Sequence, residues 1–430
     1  MNPPSHDPPS IATSATSDAP ARRPRGPAIR ITILLVLLAA GGLFILEQRT
    51  RPTWLGGPMV QIPVAGTLSI VWEMDAPLGG GRLTWWGDDG NRATIAANRK
   101  GTRFEASIRG LEPGQSVNYL VESARPLLWA RPLGATVETK APPPPGQSFR
   151  FVAFGDSGNA SNSQADLARR IADAEPDVVI HVGDLVYPAG DRATYPTHFF
   201  SPNAAILRRA PFMPSLGNHD VATDRGAPLL EVFDCPRNGP EGIEPERNYW
   251  FDFGDARFVA LDSNLAEFGG ALTRDDMNNV VAPWLRSVLT DCGATWRFVF
   301  FHHPFYTGGP HAAEGVAYLK EAYAPVFETC AVDLVFSGHN HLYERTAPIA
   351  GDRVVDEGRG VVYVTTGAGG ANRYAEQIPP PPYIRAHNDA VFSFTQVDVT
   401  PNRIELRQIG DSGETLDEYV IDESSVVAGS

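Results

Sequence analysis

Basic charge is scarce in this chain. Its 36 Lys and Arg stand against 50 Asp and Glu, for a formal charge of −14 over 430 residues. No basic block stands out beyond the first thirty residues, which argues against nucleic acid as a main partner and for a small or locally recognised substrate. Cysteine is nearly absent. Cys235, Cys292 and Cys330 show no CxxC spacing, so a thiolate zinc site is not expected. In an exported chain one pair could bond, and Cys292 with Cys330 is the candidate pair, each at an expected helix end shortly before an apolar strand. There is no Gly-rich phosphate loop and no repeat of fixed period. Apolar residues are plentiful at 43%, enough for two domains with their own cores.

Residues 1–28 are rich in Pro, Ser and Ala and cannot repay the entropy of ordering, so a disordered tail is expected. "ITILLVLLAAGGLFIL", Ile31 to Leu46, follows Arg22, Arg23, Arg25 and Arg30. Ile29 extends the run if Arg30 snorkels, which brings it near the ~20 residues of a span. The basic flank predicts the N-terminus inside and the bulk of the chain outside. A cleaved signal peptide is the rival reading, but no small-x-small cleavage site follows. Residues 29–46 are therefore read as an uncleaved signal anchor, with a cytoplasmic tail and an extracytoplasmic (periplasmic or extracellular) body.

From about 55 to 140 the chain reads as short strands with turns between them: "TLSIVWEM", "RLTWWG", "RFEASIRG", "SVNYLVES" and "ATVETKA". No helix-period segment intervenes, which is an all-β sandwich signature. "GLEPGQSVNYLVES" resembles the late hairpin of fibronectin type III domains, with Tyr119 in place of a tyrosine at Val117. "APPPPGQ", residues 141–147, is a stiff Pro-rich linker. After it the apolar runs "FRFVAFG", "DVVIHVG", "WRFVFFHH" and "VDLVFSG" read as strands buried on both faces. "QADLARRIADA", "NNVVAPWLRSVL" and "EGVAYLKEAYAPVF" read as helices, and "NYWFDFGDARFVALDS" as a hairpin turning at Gly254-Asp255. Residues 148–425 are thus an α/β region with mixed sheet and helices on its faces.

Five expected strands are each followed at once by candidate metal ligands. "FVAFGDSG" leads to Asp156, and "VVIHVGDLVY" to Asp184 and Tyr187. "FMPSLGNHD" leads to Asn218, His219 and Asp220, "FVFFHHP" to His302 and His303, and "DLVFSGHNH" to His339 and His341. Each piece alone is weak, since a Gly-Asp after a strand is most often a capped turn. Jointly they point to one place, because sites in open α/β sheets lie outside the carboxyl ends of the strands. Carboxylates, an amide oxygen and imidazoles suit hard to borderline cations. So many ligands suit two ions ~3.5–4 Å apart with a bridging carboxylate.

"GDSG", "GDLVY", "GNHD", "FFHH" and "GHNHLYER" resemble the five blocks of the metallophosphoesterases, and in particular of the purple acid phosphatases. Most of the superfamily has Asp-x-His in the first block. Here Asp156-Ser157-Gly158 stands there, and Tyr187 in the second block supplies the missing ligand. The resemblance implies mixed sheets in an αββα sandwich. It implies metal one, Fe(III), on Asp156, Asp184, Tyr187 and His341, and metal two, Zn, Fe(II) or Mn, on Asp184, Asn218, His302 and His339. It implies that His219 contacts the substrate phosphate and that His311 is a second outer-sphere histidine, while His303 is read as packing or support. The activity implied is acid phosphatase hydrolysis of small phosphomonoesters by hydroxide held on the metals. The rivals are a phosphodiesterase of the same fold and a non-catalytic, metal-containing adhesion protein.

Overall fold

The computed structural model describes residues 27–49, 53–62, 64–75, 80–124, 131–132, 136–311, 316–375 and 379–423. It falls into two compact units divided after Arg51. The first holds one helix, Pro27–Arg49, longer at both ends than the apolar run that suggested it. Pro27 suits the first helical position, where its missing N–H would have no partner anyway. The described side chains of this helix run from 31 to 46, and all are exposed. Among the described residues no helix is long and apolar enough to cross a membrane. Of the tail expected over residues 1–28, residues 1–26 lie outside the described residues, and Pro27 and Ala28 belong to the helix instead.

In the second unit, residues 53–140 form strands and no helix among the described residues. Thr53–Gln61, Thr67–Asp75, Arg103–Arg109 and Asn98–Lys100 make one antiparallel sheet. Ala93–Ala96, Gly80–Trp86, Ser116–Ala124 and Arg131–Pro132 make another, with Val137–Lys140 beside Ser116–Ala124. Phe104, Ala106 and Ile108 are buried and alternate with half-exposed neighbours, as a strand with one covered face requires. A Cβ on Gly81 would strike Trp72 and Phe104 of the first sheet, so the two sheets face each other with no room between them there. Tyr119 is buried, but its hydroxyl donates to the Arg208 carbonyl of the α/β region, 2.6 Å away, rather than within its own sheets. The linker 141–147 is tied at both ends: Gly114 N–H donates to the Pro142 carbonyl, and Gly146 N–H to Asp255.

The α/β region holds two mixed sheets. The six-stranded one runs Phe212–Pro214, Val178–His181, Phe149–Phe154, Ser393–Thr400, Arg403–Gly410, Thr415–Asp422. The seven-stranded one runs Tyr249–Phe253, Ala256–Ala260, Trp296–Phe300, Leu334–Ser337, Val362–Thr366, Tyr343–Thr346, Ile384–Asn388. The hairpin turns at Gly254-Asp255, pairing Phe253 with Ala256. The sheets meet through rings: Phe151 lies 5.1 Å from Phe258, 5.1 Å from Phe298 and 5.6 Å from Phe336. Strand alternation sends Val259, Val299, Val335 and Tyr363 to the opposite face. There they share a core with Leu285, Leu289, Leu319 and Phe327 of the helices Ala282–Leu289 and Ala317–Thr329. Asn162–Asp173, capped by Ser161, buries Leu167, Ala168 and Ile171 in the core that contains the six-stranded sheet.

The proposed disulfide is absent. Trp296–Phe300 and Leu334–Ser337 are parallel neighbours as the pairing required, yet Cys292 and Cys330 are both free thiols. The Cys330 sulfur faces the Thr290 hydroxyl at 3.6 Å instead. Neighbouring strands bring the two helix ends to one edge, but adjacency of strands alone does not set the direction of a side chain.

Candidate metal centre

The strands Phe149–Phe154, Val178–His181 and Phe212–Pro214 are parallel neighbours, so their carboxyl ends share one edge. Trp296–Phe300 and Leu334–Ser337 are parallel in the facing sheet. The loops leaving these five ends meet.

The Tyr187 hydroxyl lies 2.9 Å from Asp184 Oδ2, 3.3 Å from Asp156 Oδ1 and 3.0 Å from His341 Nε2. His341 Nε2 is 3.4 Å from Asp156 Oδ1. That is one cluster, rich in oxygen. Asn218 Oδ1 lies 2.8 Å from His302 Nε2 and 3.0 Å from His339 Nδ1, which makes a second cluster, rich in nitrogen. Asp184 Oδ2 is also 3.5 Å from His302 Nε2, so one carboxylate faces both clusters. All seven residues read from the sequence as ligands are therefore brought together. His303 joins the nitrogen-rich side: ring nitrogens of His302, His303 and His339 lie within 4.8 Å of one another.

Backbone geometry marks the same residues. Asp156, Asp184 and His339 have φ of 56°, 56° and 66°. That left-handed region is unfavourable for residues with a Cβ and persists only where the surroundings enforce it. Glycines make the room. A Cβ on Gly217 would collide with the Asp184 carboxylate, and one on Gly338 with that of Asp156.

Neighbouring carbonyls and hydroxyls fix the rings. His302 Nδ1–H donates to the Val182 carbonyl at 2.9 Å, which leaves Nε2 to face Asn218. His341 Nδ1–H donates to the Asn372 carbonyl. His303 Nδ1 is 2.8 Å from Ser263 Oγ. Orienting bonds of this kind are what metal-binding imidazoles use. Tyr374 stacks on His341 with ring centres 4.0 Å apart. Asp220 does not enter either cluster. Its carboxylate accepts backbone N–H groups from Leu185 and Gly217 at 3.0 and 2.9 Å, and so braces the Asp184 and Asn218 loops. His181, buried and 2.9 Å from Ser157 Oγ, is likewise structural, with burial lowering its pKa to about 3.

His219 sits at the rim, its side chain 37% exposed and Nε2 4.0 Å from Asp184 Oδ2. His311 donates its N–H to Asn340 Oδ1, and its ring centre is 4.9 Å from that of His339. Asn340, Tyr374, Ser263 and Asn372 escaped the sequence reading. Asn340 at least stands in plain view inside "HNH".

The electrostatics call for positive charge. Burial pushes the Asp156 carboxyl up to about 6, against the hydrogen bond and charge of His341. Burial and then the Asp184 and Asp156 carboxylates hold the Tyr187 phenol well above 10. Burial, followed by the neighbouring His339, keeps His302 well below its ordinary value, so its lone pair stays available in acid. Burial works against protonation of His341 too, but the Asp156 contact outweighs it and the pKa is raised. Two carboxylates, a phenol, an amide oxygen and imidazoles converging here fit a pair of hard to borderline metal ions.

Residues 149–343 match the calcineurin-like phosphoesterase family. It is 26% identical to a Hordeum vulgare nucleotide pyrophosphatase/phosphodiesterase over 343 residues, 69% of this chain and 88% of that protein. It is 24% identical to the Arabidopsis thaliana Fe(3+)-Zn(2+) purple acid phosphatase 12 over 289 residues, 59% of this chain and 58% of that protein. The chain spans about half the length, 51%, of two Mycobacterium tuberculosis proteins that it also matches. In structure it is similar to a yellow lupin purple acid phosphatase, with a TM-score of 0.74 at 20% identity, over 87% of this chain and 75% of that one. At that identity the likeness concerns the fold.

Proposed function

We propose that this protein is a binuclear-metal phosphoric-ester hydrolase of purple acid phosphatase type, acting on small phosphomonoesters outside the cytoplasm, with the Arg-flanked apolar run 29–46 of its sequence as the basis for an anchor. One observation carries the reading: donors from five strand ends meet in two clusters that share Asp184. Asp156, Asp184, Tyr187 and His341 would hold the first ion. Asp184, Asn218, His302 and His339 would hold the second. When bound, such a pair supplies Lewis acidity, to generate a hydroxide nucleophile and to neutralise phosphoryl charge.

The rest falls to the chain's own groups. His219, its Nδ1–H engaged by the Pro188 carbonyl, presents Nε2 at the open side of the centre. There it can donate to a phosphoryl oxygen or to a leaving alkoxide. His311 lines the same mouth. The buried carboxylates and the phenol select the first ion. A phenol held well above 10 would release its proton to water only if a strongly Lewis-acidic ion bound its oxygen, which favours Fe(III). The nitrogen-rich cluster suits Zn, Fe(II) or Mn.

A phosphodiesterase of the same fold is the second reading, favoured by the name and near-complete coverage of the barley relative. Turnover of one phosphomonoester and one phosphodiester by the purified full chain, with elemental analysis of the same sample, separates the two. Protein carrying two metal ions per chain that hydrolyses neither ester would leave the non-catalytic adhesion reading.

A further inference from the structure

The sandwich grips the α/β region at places that share one stretch of chain. Gln61 Nε2 donates to the Phe212 carbonyl at 3.2 Å, Tyr119 to Arg208 at 2.6 Å and Thr139 to Arg209 at 2.7 Å. Arg103 donates to the Phe233 carbonyl at 3.3 Å. Glu73 of the strand Thr67–Asp75, only 1% exposed, pairs with Arg192. All these contacts fall between residues 192 and 235, the stretch that contains Asn218 and His219.

The Glu73–Arg192 pair leads furthest inward. Arg192 belongs to the loop that leaves Tyr187. Beside it, Asp191 Oδ1 accepts the Thr223 hydroxyl at 3.0 Å, joining this loop to the turn after His219. At the start of the loop the Tyr187 carbonyl accepts His198 Nδ1–H at 2.9 Å, and the Pro188 carbonyl accepts His219 Nδ1–H at 2.5 Å. A carbonyl can only accept, so the Pro188 contact puts the proton on Nδ1 and aims Nε2 at the metal side. The loop sets where that carbonyl lies, and the ion pair between buried Glu73 and half-buried Arg192 sets where the loop lies.

We propose that the sandwich is a positioning element for the site, with Glu73 and Arg192 as its positioning residues. Through loop 188–195 they hold the Pro188 carbonyl that fixes the ring orientation of His219. The inference rests on the role given to His219 above. It also accounts for a small all-β region with no chemistry of its own being joined so closely to a catalytic region.

Arg192→Ala would strand a buried carboxylate and put the fold at risk. The paired change Glu73→Gln with Arg192→Gln removes the charge tether without stranding either group. It is expected to lower kcat roughly tenfold, with KM and metal content within about twofold of wild type, because misplacement of a catalytic group acts on the transition state. In the zinc-loaded full chain, the His219 ring-nitrogen NMR shifts should move toward mixed tautomers. Arg192→Lys, which keeps the charge pair, should restore most of both. Unmoved His219 shifts, or unchanged turnover in the paired variant, would overturn the proposal, as would a loss that tracks metal loss. If the wild type hydrolyses no phosphoester yet the shifts move in the paired variant, the positioning stands and the functional reading fails.

Discussion

Two buried aspartates stand at opposite ends of one short strand. Leu334–Ser337 begins beside Asp333 and ends near His339, whose backbone N–H donates to Asp156. Burial pushes both carboxyls up, Asp156 to about 6 and Asp333 to about 7. By that measure Asp333 is the better candidate for chemistry. A cavity of about 740 Å³ even opens on its side, lined by Glu328, Asp333, Tyr419 and Asp422 among others. The difference lies in the company each keeps. The Asp333 carboxylate accepts a backbone N–H from Arg297 at 2.8 Å. Asp156 meets a phenol and an imidazole, on a backbone held at φ 56°. A raised carboxyl pKa alone reports desolvation, whereas converging donors on strained backbone mark a site.

The sharpest way to break this contrast is at Asp184, which both clusters share. Asp184→Asn is expected to cost at least about a thousandfold in turnover and to lower occupancy at both metal positions. Elemental analysis and kcat, measured beside an unchanged unfolding transition, check this. Full activity in Asp184→Asn would make the site end as inert as the Asp333 end.

Next come the residues of one cluster only. Asn218→Ala or His302→Ala should empty the nitrogen-rich cluster and cost roughly a hundredfold or more, while the first ion stays bound. His219→Ala should keep both ions and slow turnover by roughly ten- to a hundredfold, because His219 acts on the phosphoryl group. Metal loss in the His219 variant would make it a ligand instead.

Much of this centre was legible because ligand types recur at strand ends, and strands buried on both faces announce themselves as apolar runs. Asp156, Asp184, Tyr187, Asn218, His302, His339 and His341 all follow such runs, and parallel pairing brings the ends together. The split into two facing sheets was not readable from composition or periodicity, since both faces of every central strand are apolar either way. Nor were the supporting contacts. Asn372, Pro188 and Val182 act through backbone carbonyls, which any residue provides. A signal was available for the strained positions: Gly155, Gly183 and Gly338 immediately precede Asp156, Asp184 and His339. Glycine there permits the close packing that a left-handed ligand loop demands. The cysteine pairing failed because strand adjacency does not set side-chain direction.

Tyr187→Phe sharpens the contrast within the centre. The phenol and two carboxylates make the first cluster the harder one. Removing the phenol should abolish a visible tyrosinate-to-iron absorption and shift metal content at that position from iron toward divalent ions, with the second position little changed. Turnover should fall by roughly tenfold or less if a divalent ion can serve there. A wild-type protein that is active, colourless and free of iron would make Tyr187 a structural tyrosine of a more general metallophosphoesterase.

Asp333→Asn should have the smallest effect on turnover, none beyond error, and is the test of the other end. The amide oxygen can still accept the Arg297 N–H, so the backbone bond survives. What disappears is a charge the interior opposes. The folded carboxyl titrates near 7 against an ordinary value of 3.8. Between those values the native state holds a proton that the unfolded chain has released. Wild-type stability therefore falls as pH rises from about 4 to about 7, at up to roughly 1.4 kcal/mol per pH unit, and levels off above that. The variant has no such term. Its unfolding midpoint should match wild type near pH 4, exceed it increasingly up to about pH 7, and keep that margin at pH 8. Denaturant unfolding of both proteins across that range, with kcat measured on the same samples, decides the matter. A variant that is equally stable at every pH would show that Asp333 is hydrated through its cavity. One that loses turnover at neutral pH would show that the far end of the strand, too, belongs to the site.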